Sequence, residues 1–396
     1  MNSIDFLIKK YEGEYIDFFK DIHKNPELSM CEFNTTQMII EKLKKIKNVK
    51  FKKCEKLETG VIAWITGKKK SHKKTKTILI RTEIDALPIN EKTNLKYKSK
   101  NENIMHACGH DGHIAFTLLT INVLSEIVDQ FAGVVKFIFQ PGEEIGKGAK
   151  EIIKYDKVLK DVDAVLACHS WPKAKTNHIV ICNDVPFGYY SRFNLKIEGK
   201  CGHGSWPESS IDPISIANLI YTNFQHIISR KIPSEHSKAL SVCGIQSGPE
   251  YLYNIIPKTC EMIGTIRASD INNIKNIIKN MKLEANYIAK ANGAKSKFVY
   301  HISNAVRNDK SLVNLMYKTA IQLFGKNRVN IDYGEHLGAD NFCEFTNKVK
   351  GIYIFAGIKS KKNILDLHSD KFVFDTKIIK TVGLLYTHFV LEFLNN

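Results

Sequence analysis

The run His106-Ala107-Cys108-Gly109-His110-Asp111-Gly112-His113 gathers three imidazoles, a thiol and a carboxylate into eight residues. Thiolate, imidazole and carboxylate are the side chains that hold borderline transition metals. The glycines let the backbone turn tightly enough for near neighbours to converge on one ion. A cysteine is ordinarily a small buried hydrophobe. Cys108, two residues from His110 in a glycine-flanked loop, reads instead as a metal thiolate. A second cluster, Gln140-Pro141-Gly142-Glu143-Glu144, ends in adjacent acids that point differently. One can bind a cation while the other takes a proton from a water at that cation. The plain alternative is a surface pair at a helix start, but the apolar segment and Pro-Gly turn before it favour function. His169 and His368 are isolated, and alone would be ordinary histidines. His106, Asp111 and His113 read as groups orienting the ligands from behind, with His113 alternatively capping a helix that begins there. The chemistry implied is metal-assisted hydrolysis.

The elements that must position these groups follow from apolar patterning. Gly60–Ile65, Thr77–Ile84, Val134–Gln140, Asp163–Ala167 and Gly351–Phe355 are nearly continuous apolar runs, as expected of central strands covered on both faces. Amphipathic stretches at Thr35–Ile46, His113–Val128, Ser311–Leu323 and Lys377–Leu394 predict helices between and after them. The alternation predicts an α/β sheet with helices on both sides. Each candidate then falls after a strand: Asp85-Ala86-Leu87-Pro88, Glu143-Glu144, Cys168-His169, and Leu367-His368 within one loop. Open α/β sheets bind ligands at that edge, and His169 and His368 gain their weight from it.

The middle of the chain keeps another rhythm. Tyr190–Glu198, Ala239–Ile245, Cys260–Ala268 and Ser296–Ile302 read as strands, with helices at Asp212–Ile232 and Asn272–Ala291. That βαββαβ order is the ferredoxin-like split motif, inserted between two halves of the first domain. The expected division is 1–186, 187–303 and 304–396.

A chain of 396 residues with 43% apolar and 25% charged content suits a globular protein of two domains. No apolar stretch approaches the roughly 20 residues that span a bilayer, and Met1–Asp5 lacks the layout of a signal peptide. The expected location is the cytoplasm, without a membrane partner. Nine cysteines without regular spacing argue against a disulfide framework. The net charge of +17 is carried by lysines spread along the chain. Only Lys68–Lys76 forms a dense run, read as a solvated hairpin loop, and no nucleic-acid motif accompanies it.

These residues resemble the amidohydrolase branch of the aminoacylase and carboxypeptidase-type metallopeptidases, which includes hippurate hydrolases and N-acyl-amino-acid amidohydrolases. The resemblance runs from about His23-Lys24-Asn25-Pro26-Glu27-Leu28 to the C-terminal helix. It rests on Asp85–Pro88, Met105–His113, Gln140–Glu144, Gly202–Ser205, Asn254–Pro257, Gly264–Arg267 and Leu367-His368. It implies an α/β, three-layer catalytic domain like that of di-metal aminopeptidases, with the inserted ferredoxin-like α+β domain as lid and dimerisation module. It implies two divalent ions held by Cys108, His110, Glu144, His169 and His368, with Cys108 bridging, Glu143 as general base and Asp85 orienting a ligand. Manganese or zinc comes first, and cobalt, nickel and iron are compatible with mixed S, N and O ligation. His203, Asn254 and Arg267 match positions that contact the substrate carboxylate or the developing oxyanion. A guanidinium fork suits a carboxylate, as Arg267 requires.

Departures from the family pattern are Gly142 in place of alanine, Asp340-Asn341 in place of Glu-Asp, and Trp206 in place of a small residue. The expected reaction is hydrolysis of a hippurate-like or N-acetyl amino acid, in a homodimer or homotetramer. The alternatives are N-acetyldiaminopimelate deacetylation and dipeptidase or carboxypeptidase action. A metal-storage protein would have no use for a carboxylate such as Glu143 outside the ligand set.

Overall fold

Ile4, Ile8, Tyr15, Phe19 and Ile22 recur along one face and are all buried, which makes the opening helix, α1 (Ser3–Lys24), amphipathic. The computed structural model describes residues 3–72, 74–235, 237–248, 252–332, 336–359 and 366–395. After α1 come α2 (Phe33–Lys44), β1 (Val49–Lys53), β2 (Val61–Thr66), β3 (Thr77–Glu83), α3 (His110–Glu126), β4 (Val134–Gln140), a single turn α4 (Ala149–Glu151), β5 (Ala164–Lys175) and β6 (Ile179–Cys182). The middle holds β7 (Tyr189–Glu198), β8 (Gly202–His203), α5 (Pro213–Arg230), β9 (Lys238–Ser247), β10 (Ile255–Ile256), β11 (Thr259–Ala268), α6 (Ile271–Ala291) and β12 (Lys295–Ser303). The chain closes with α7 (Lys310–Phe324), β13 (Val329–Asp332), α8 (Cys343–Thr346), β14 (Gly351–Lys359) and α9 (Lys377–Asn395).

Two units result. One comprises Met1–Pro186, Arg307–Gly334 and Asp340–Asn396, the other Phe187–Val306 and Glu335–Ala339. The first is built on an eight-stranded sheet in the order β1-β2-β4-β3-β5-β14-β6-β13. Its centre is parallel, pairing β4, β3, β5 and β14 in turn. The β1–β2, β2–β4 and β14–β6 pairs are antiparallel. Every position of β3 is buried, as is every position of β14 but the last, which is why both read as continuous apolar runs. Helix α3 packs against α1, α9 and β3 and is buried almost all round.

Several expectations change. Strands β2 and β3 are separated by β4, so Lys68–Lys76 is a crossover and not a hairpin loop. Lys69 Nζ reaches Asn395 Oδ1 at 3.3 Å and Lys76 Nζ lies over the Phe393 ring; Lys73 falls outside the described residues. Helix α3 begins at His110 rather than His113, because the left-handed Gly109 precedes it. Strand β5 continues to Lys175, so His169 sits within a strand and not in the loop after it. The sequence reading leaves α1, β1, β6 and β13 unassigned.

The second unit has the strand order β12-β7-β11-β9, antiparallel throughout, which with its βαββαβ chain order is the ferredoxin-like topology. Strand β7 alternates buried and outward positions. Asp212 accepts from the Ile214 N–H ahead of Pro213 to start α5, and Asp270 caps α6. A separate two-stranded ribbon pairs β8 with β10. Among the described residues no helix is long and apolar enough to cross a membrane.

Candidate metal centre

Asp85 follows β3, Glu143 and Glu144 follow β4, and His169 lies on β5, three neighbouring strands of one sheet. Cys108 and His110 flank Gly109, whose φ of +85° favours glycine and whose missing Cβ would stand 2.7 Å from Ser170 Oγ. Ser170 Oγ donates to the Cys108 carbonyl at 3.2 Å, which lays this loop against β5. His368 donates its backbone N–H to the Ala107 carbonyl at 2.8 Å and adopts φ +64°. Left-handed backbone at a residue with a side chain carries strain that clusters where residues have work to do.

The side chains converge. Cys108 Sγ lies 3.3 Å from His169 Nε2, and Glu144 Oε1 lies 3.9 Å from His110 Nε2 and 3.5 Å from His368 Nε2. Donor atoms of Cys108, His110 and His169 all fall within 4.8 Å of one another, as do those of Cys108, Glu144 and His368. Cys108 belongs to both groups. Glu143 joins His110 and Glu144 in a third.

Whether this set fits a metal is answered by its unsatisfied atoms. His110 Nε2 and Glu144 Oε1 are buried without a hydrogen-bond partner among the described residues. A buried polar atom left unpaired costs about 1–3 kcal/mol. A cation bound between them satisfies these atoms together, and sulfur, nitrogen and oxygen donors suit a borderline divalent ion. The residues fit the group.

Groups behind the donors aim them. His110 Nδ1 lies 2.9 Å from the Asp85 carbonyl and 3.2 Å from its carboxylate, turning Nε2 toward Glu144. His169 Nδ1 donates to the Ser170 carbonyl at 2.8 Å, leaving Nε2 for the cluster. Asp85 Oδ2 accepts from the Ser29 hydroxyl at 2.7 Å and from the Glu144 N–H at 2.9 Å. One carboxylate therefore organises two candidate donors.

Electrostatics divides the acids. Burial, with Asp340 and Glu144 nearby, pushes the Glu143 carboxyl well above its usual range. Burial works the same way on Glu144, but the neighbouring His368 and His110 imidazoles hold it below. Asp85 is held low against burial by His110. Burial pushes the Cys108 thiol up, a tendency that a bound cation reverses.

The three expected orienting groups separate. His113 donates from Nδ1 to Glu83 at 3.0 Å and accepts the Ser170 N–H on Nε2 at 3.0 Å, so neither nitrogen is spare. Burial pushes it down to about 3, which keeps it neutral. It lies inside α3 and is not a cap. Asp111 pairs with His23 Nδ1 at 2.6 Å, away from the donors. His106 is buried with no hydrogen bond on either ring nitrogen among the described residues, and burial pushes it down to about 4.

Sequence reasoning missed Arg81 and Glu83. The buried Arg81 guanidinium ion-pairs with Glu83 and Asp340 and reaches Gln140 Oε1 at 3.0 Å and Asn341 Oδ1 at 2.5 Å. Charges inside an otherwise apolar strand were the available signal. Gly142 has φ +68°, and an added Cβ would stand 2.7 Å from Met30 Sδ, so an alanine there is strained in this chain.

His203, Asn254 and Arg267 belong to the second unit. His203 on β8 is brought beside the Asn254 segment, whose carbonyl accepts the Gly204 N–H at 2.8 Å. His203 Nδ1 accepts the Ser205 N–H at 3.2 Å, so Nε2 carries the proton as an exposed donor. The exposed Trp206 ring lies 4.8 Å from that of His203. Arg267 is on β11 of the four-stranded sheet, over the Tyr190 ring and donating to the Leu337 carbonyl at 2.9 Å.

The chain is similar to known proteins. Residues 79–391 match the model of Peptidase family M20/M25/M40. The chain is 32% identical to the N-acetylcysteine deacetylase of Bacillus subtilis strain 168 over 94% of each chain. It is 31% identical to the hippurate hydrolase of Campylobacter jejuni over the full length of both. A solved Bacillus subtilis structure, described as a dinuclear metal-binding peptidase of the M20 family, superposes with a TM-score of 0.84 at 28% identity, over 98% of this chain and 99% of that one. On a family match covering most of its length and relatives aligned nearly end to end, the chain is an enzyme of Peptidase family M20/M25/M40.

Proposed function

We propose that this hydrolase cleaves the amide bond of N-acyl amino acids, of the hippurate or N-acetyl kind, releasing a carboxylic acid and a free amino acid. The observation that carries this reading is the pair of donor groups sharing Cys108, with the Glu143 carboxylate beside them and outside both. Cys108, His110, Glu144, His169 and His368 would hold two divalent ions, manganese or zinc first and cobalt, nickel or iron as alternatives. Bound there, the ions supply Lewis acidity, polarising the amide carbonyl and acidifying a water.

The rest falls to the chain. Glu143, in the turn after β4, takes the proton of the attacking water and returns it to the departing amine; its raised affinity for protons suits that delivery. Asp85 holds His110 and the Glu144 backbone in place. In the second unit, read as lid and dimerisation module over 187–303, the His203 Nε2–H would donate to the developing oxyanion. Asn254 and Arg267 would bind the substrate carboxylate, Arg267 through its two-pronged donor face. A homodimer or homotetramer is the assembly this reading implies.

The two relatives, at 32% and 31% identity, are named for different substrates, N-acetylcysteine and hippurate, so substrate choice is a matter for measurement. The test is a panel of N-benzoyl, N-acetyl and indole-acetyl amino acids, N-acetyldiaminopimelate and dipeptides, run with each metal in turn. Turnover on the acyl amino acids is expected, and Glu143→Gln should keep its metal while losing nearly all of it. Cleavage of dipeptides alone, or an active Glu143→Gln enzyme, overturns the assignment.

A further inference from the structure

Asn341 has a bonding pattern that the reaction as described does not use. Its side-chain oxygen accepts from Arg81 Nη2 at 2.5 Å and from Gln140 Nε2 at 3.0 Å. Its side-chain nitrogen donates to the Lys147 carbonyl at 2.9 Å, and its backbone N–H donates to Glu143 Oε1 at 3.3 Å. The turn that these two contacts straddle closes on itself, Lys147 N–H to the Gly142 carbonyl at 2.9 Å and Gly146 N–H to the Glu143 carbonyl at 2.8 Å. Asn341 thus grips the Glu143 carboxylate at one end of a single turn and the backbone at the other.

What holds Asn341 is rigid. Arg81 is fully buried, its Nε bound to Gln140 Oε1 at 3.0 Å and its other nitrogens to Glu83 and Asp340. Asp340 is fixed in turn by the Tyr353 hydroxyl at 2.6 Å. Gln140 closes the ring, accepting from Arg81 and donating to Asn341. An amide accepts from Arg81 and Gln140 on its oxygen while its nitrogen donates to a carbonyl, which an ionised carboxylate cannot do. An aspartate of the same size would face the Lys147 carbonyl with an oxygen and set a second negative charge beside Glu143.

We propose that Asn341 is a positioning residue, which takes its orientation from Arg81 and Gln140 and fixes the Glu143 carboxylate by clamping the Gly142–Lys147 turn. The inference rests on Glu143 being the general base. A base must be held to within a fraction of an ångström, and misplacement by about 1 Å costs on the order of a hundredfold in rate.

Asn341→Asp and Asn341→Ala, compared with the parent and with Glu143→Gln, test it on metal-loaded protein. Both Asn341 variants are expected to lose about tenfold to a hundredfold in kcat, with KM within about twofold of the parent and metal content unchanged. The split is the informative part, because a residue serving only the fold would lower the denaturation midpoint and leave kcat of the folded fraction intact. Parent-like kcat in both variants overturns the proposal. So does loss of metal in step with activity, or failure of both variants to fold, since each would make Asn341 a residue of the metal site or the fold. An active Glu143→Gln enzyme would instead overturn the assignment of the base, and is told apart by that control.

Discussion

His23 sits between two carboxylates, with Nδ1 2.6 Å from Asp111 and Nε2 3.4 Å from Glu91, and all three side chains are almost fully buried. Burial opposes the charge on the imidazole, but the hydrogen bonds to Asp111 and Glu91 prevail and raise it from 6.5 to about 9. A group raised on folding stabilises fully below its unfolded value and loses that contribution as pH climbs through the folded one. The His23 contribution is therefore present below about pH 6.5 and fades through about 9. Asp111 and Glu91 are held low, Asp111 by His106 and His23 and Glu91 by His23 and Thr93, both against burial. Their share is present above the ordinary carboxylate range of about 4 and lost in acid. The urea midpoint of the parent should fall from pH 7 to 10, and His23→Gln should fall less over the same interval. An unchanged alkaline slope in the variant would assign the effect to another group. None of this was legible in the sequence, where His23 and Asp111 stand far apart.

At the scale of elements, α3 shows how local rules yield to packing. Gly112 in its first turn reads as a loop residue, and the sequence puts the helix start after it. In the structure a Cβ on Gly112 would lie 2.0 Å from Phe374 Cζ, so the ring covers the glycine and the helix runs through it. Gly112→Ala should therefore destabilise, against the usual helix preference for alanine, by about 1–3 kcal/mol of overpacking. A lowered urea midpoint checks this, and an unchanged one would mean that Phe374 yields freely. Strands β6 and β13 are four residues each and β1 is half polar, too short or too solvated to stand out. The central strands stood out because burial on both faces demands apolar residues throughout.

For the whole molecule, metal binding and stability should be linked. A ligand that binds only the folded chain stabilises it by mass action, about 2.7 kcal/mol at a hundredfold excess over its Kd. Chelation should abolish amide hydrolysis and lower the denaturation midpoint, and adding the metal back should restore both. A storage protein would show no hydrolysis in either state. The excess of lysine gives a net charge of +17, and its dense run at Lys68–Lys76 joins strands that do not pair, so the sequence located the charge and misjudged the connection.

Residue type and spacing marked Cys108, His110, Glu143 and Glu144 as candidates, because metal and proton chemistry draw on few side chains, and only their expected place at strand ends added His169 and His368. The same holds for the α/β class, since period and burial are written locally. Tertiary structure alone decided that Asp85 serves both His110 and Glu144, and that Arg81 and Asn341 stand behind Glu143. Those are hydrogen bonds between segments as much as 260 positions apart, as between Arg81 and Asn341, and no local pattern encodes which partners the folded sheet will bring together.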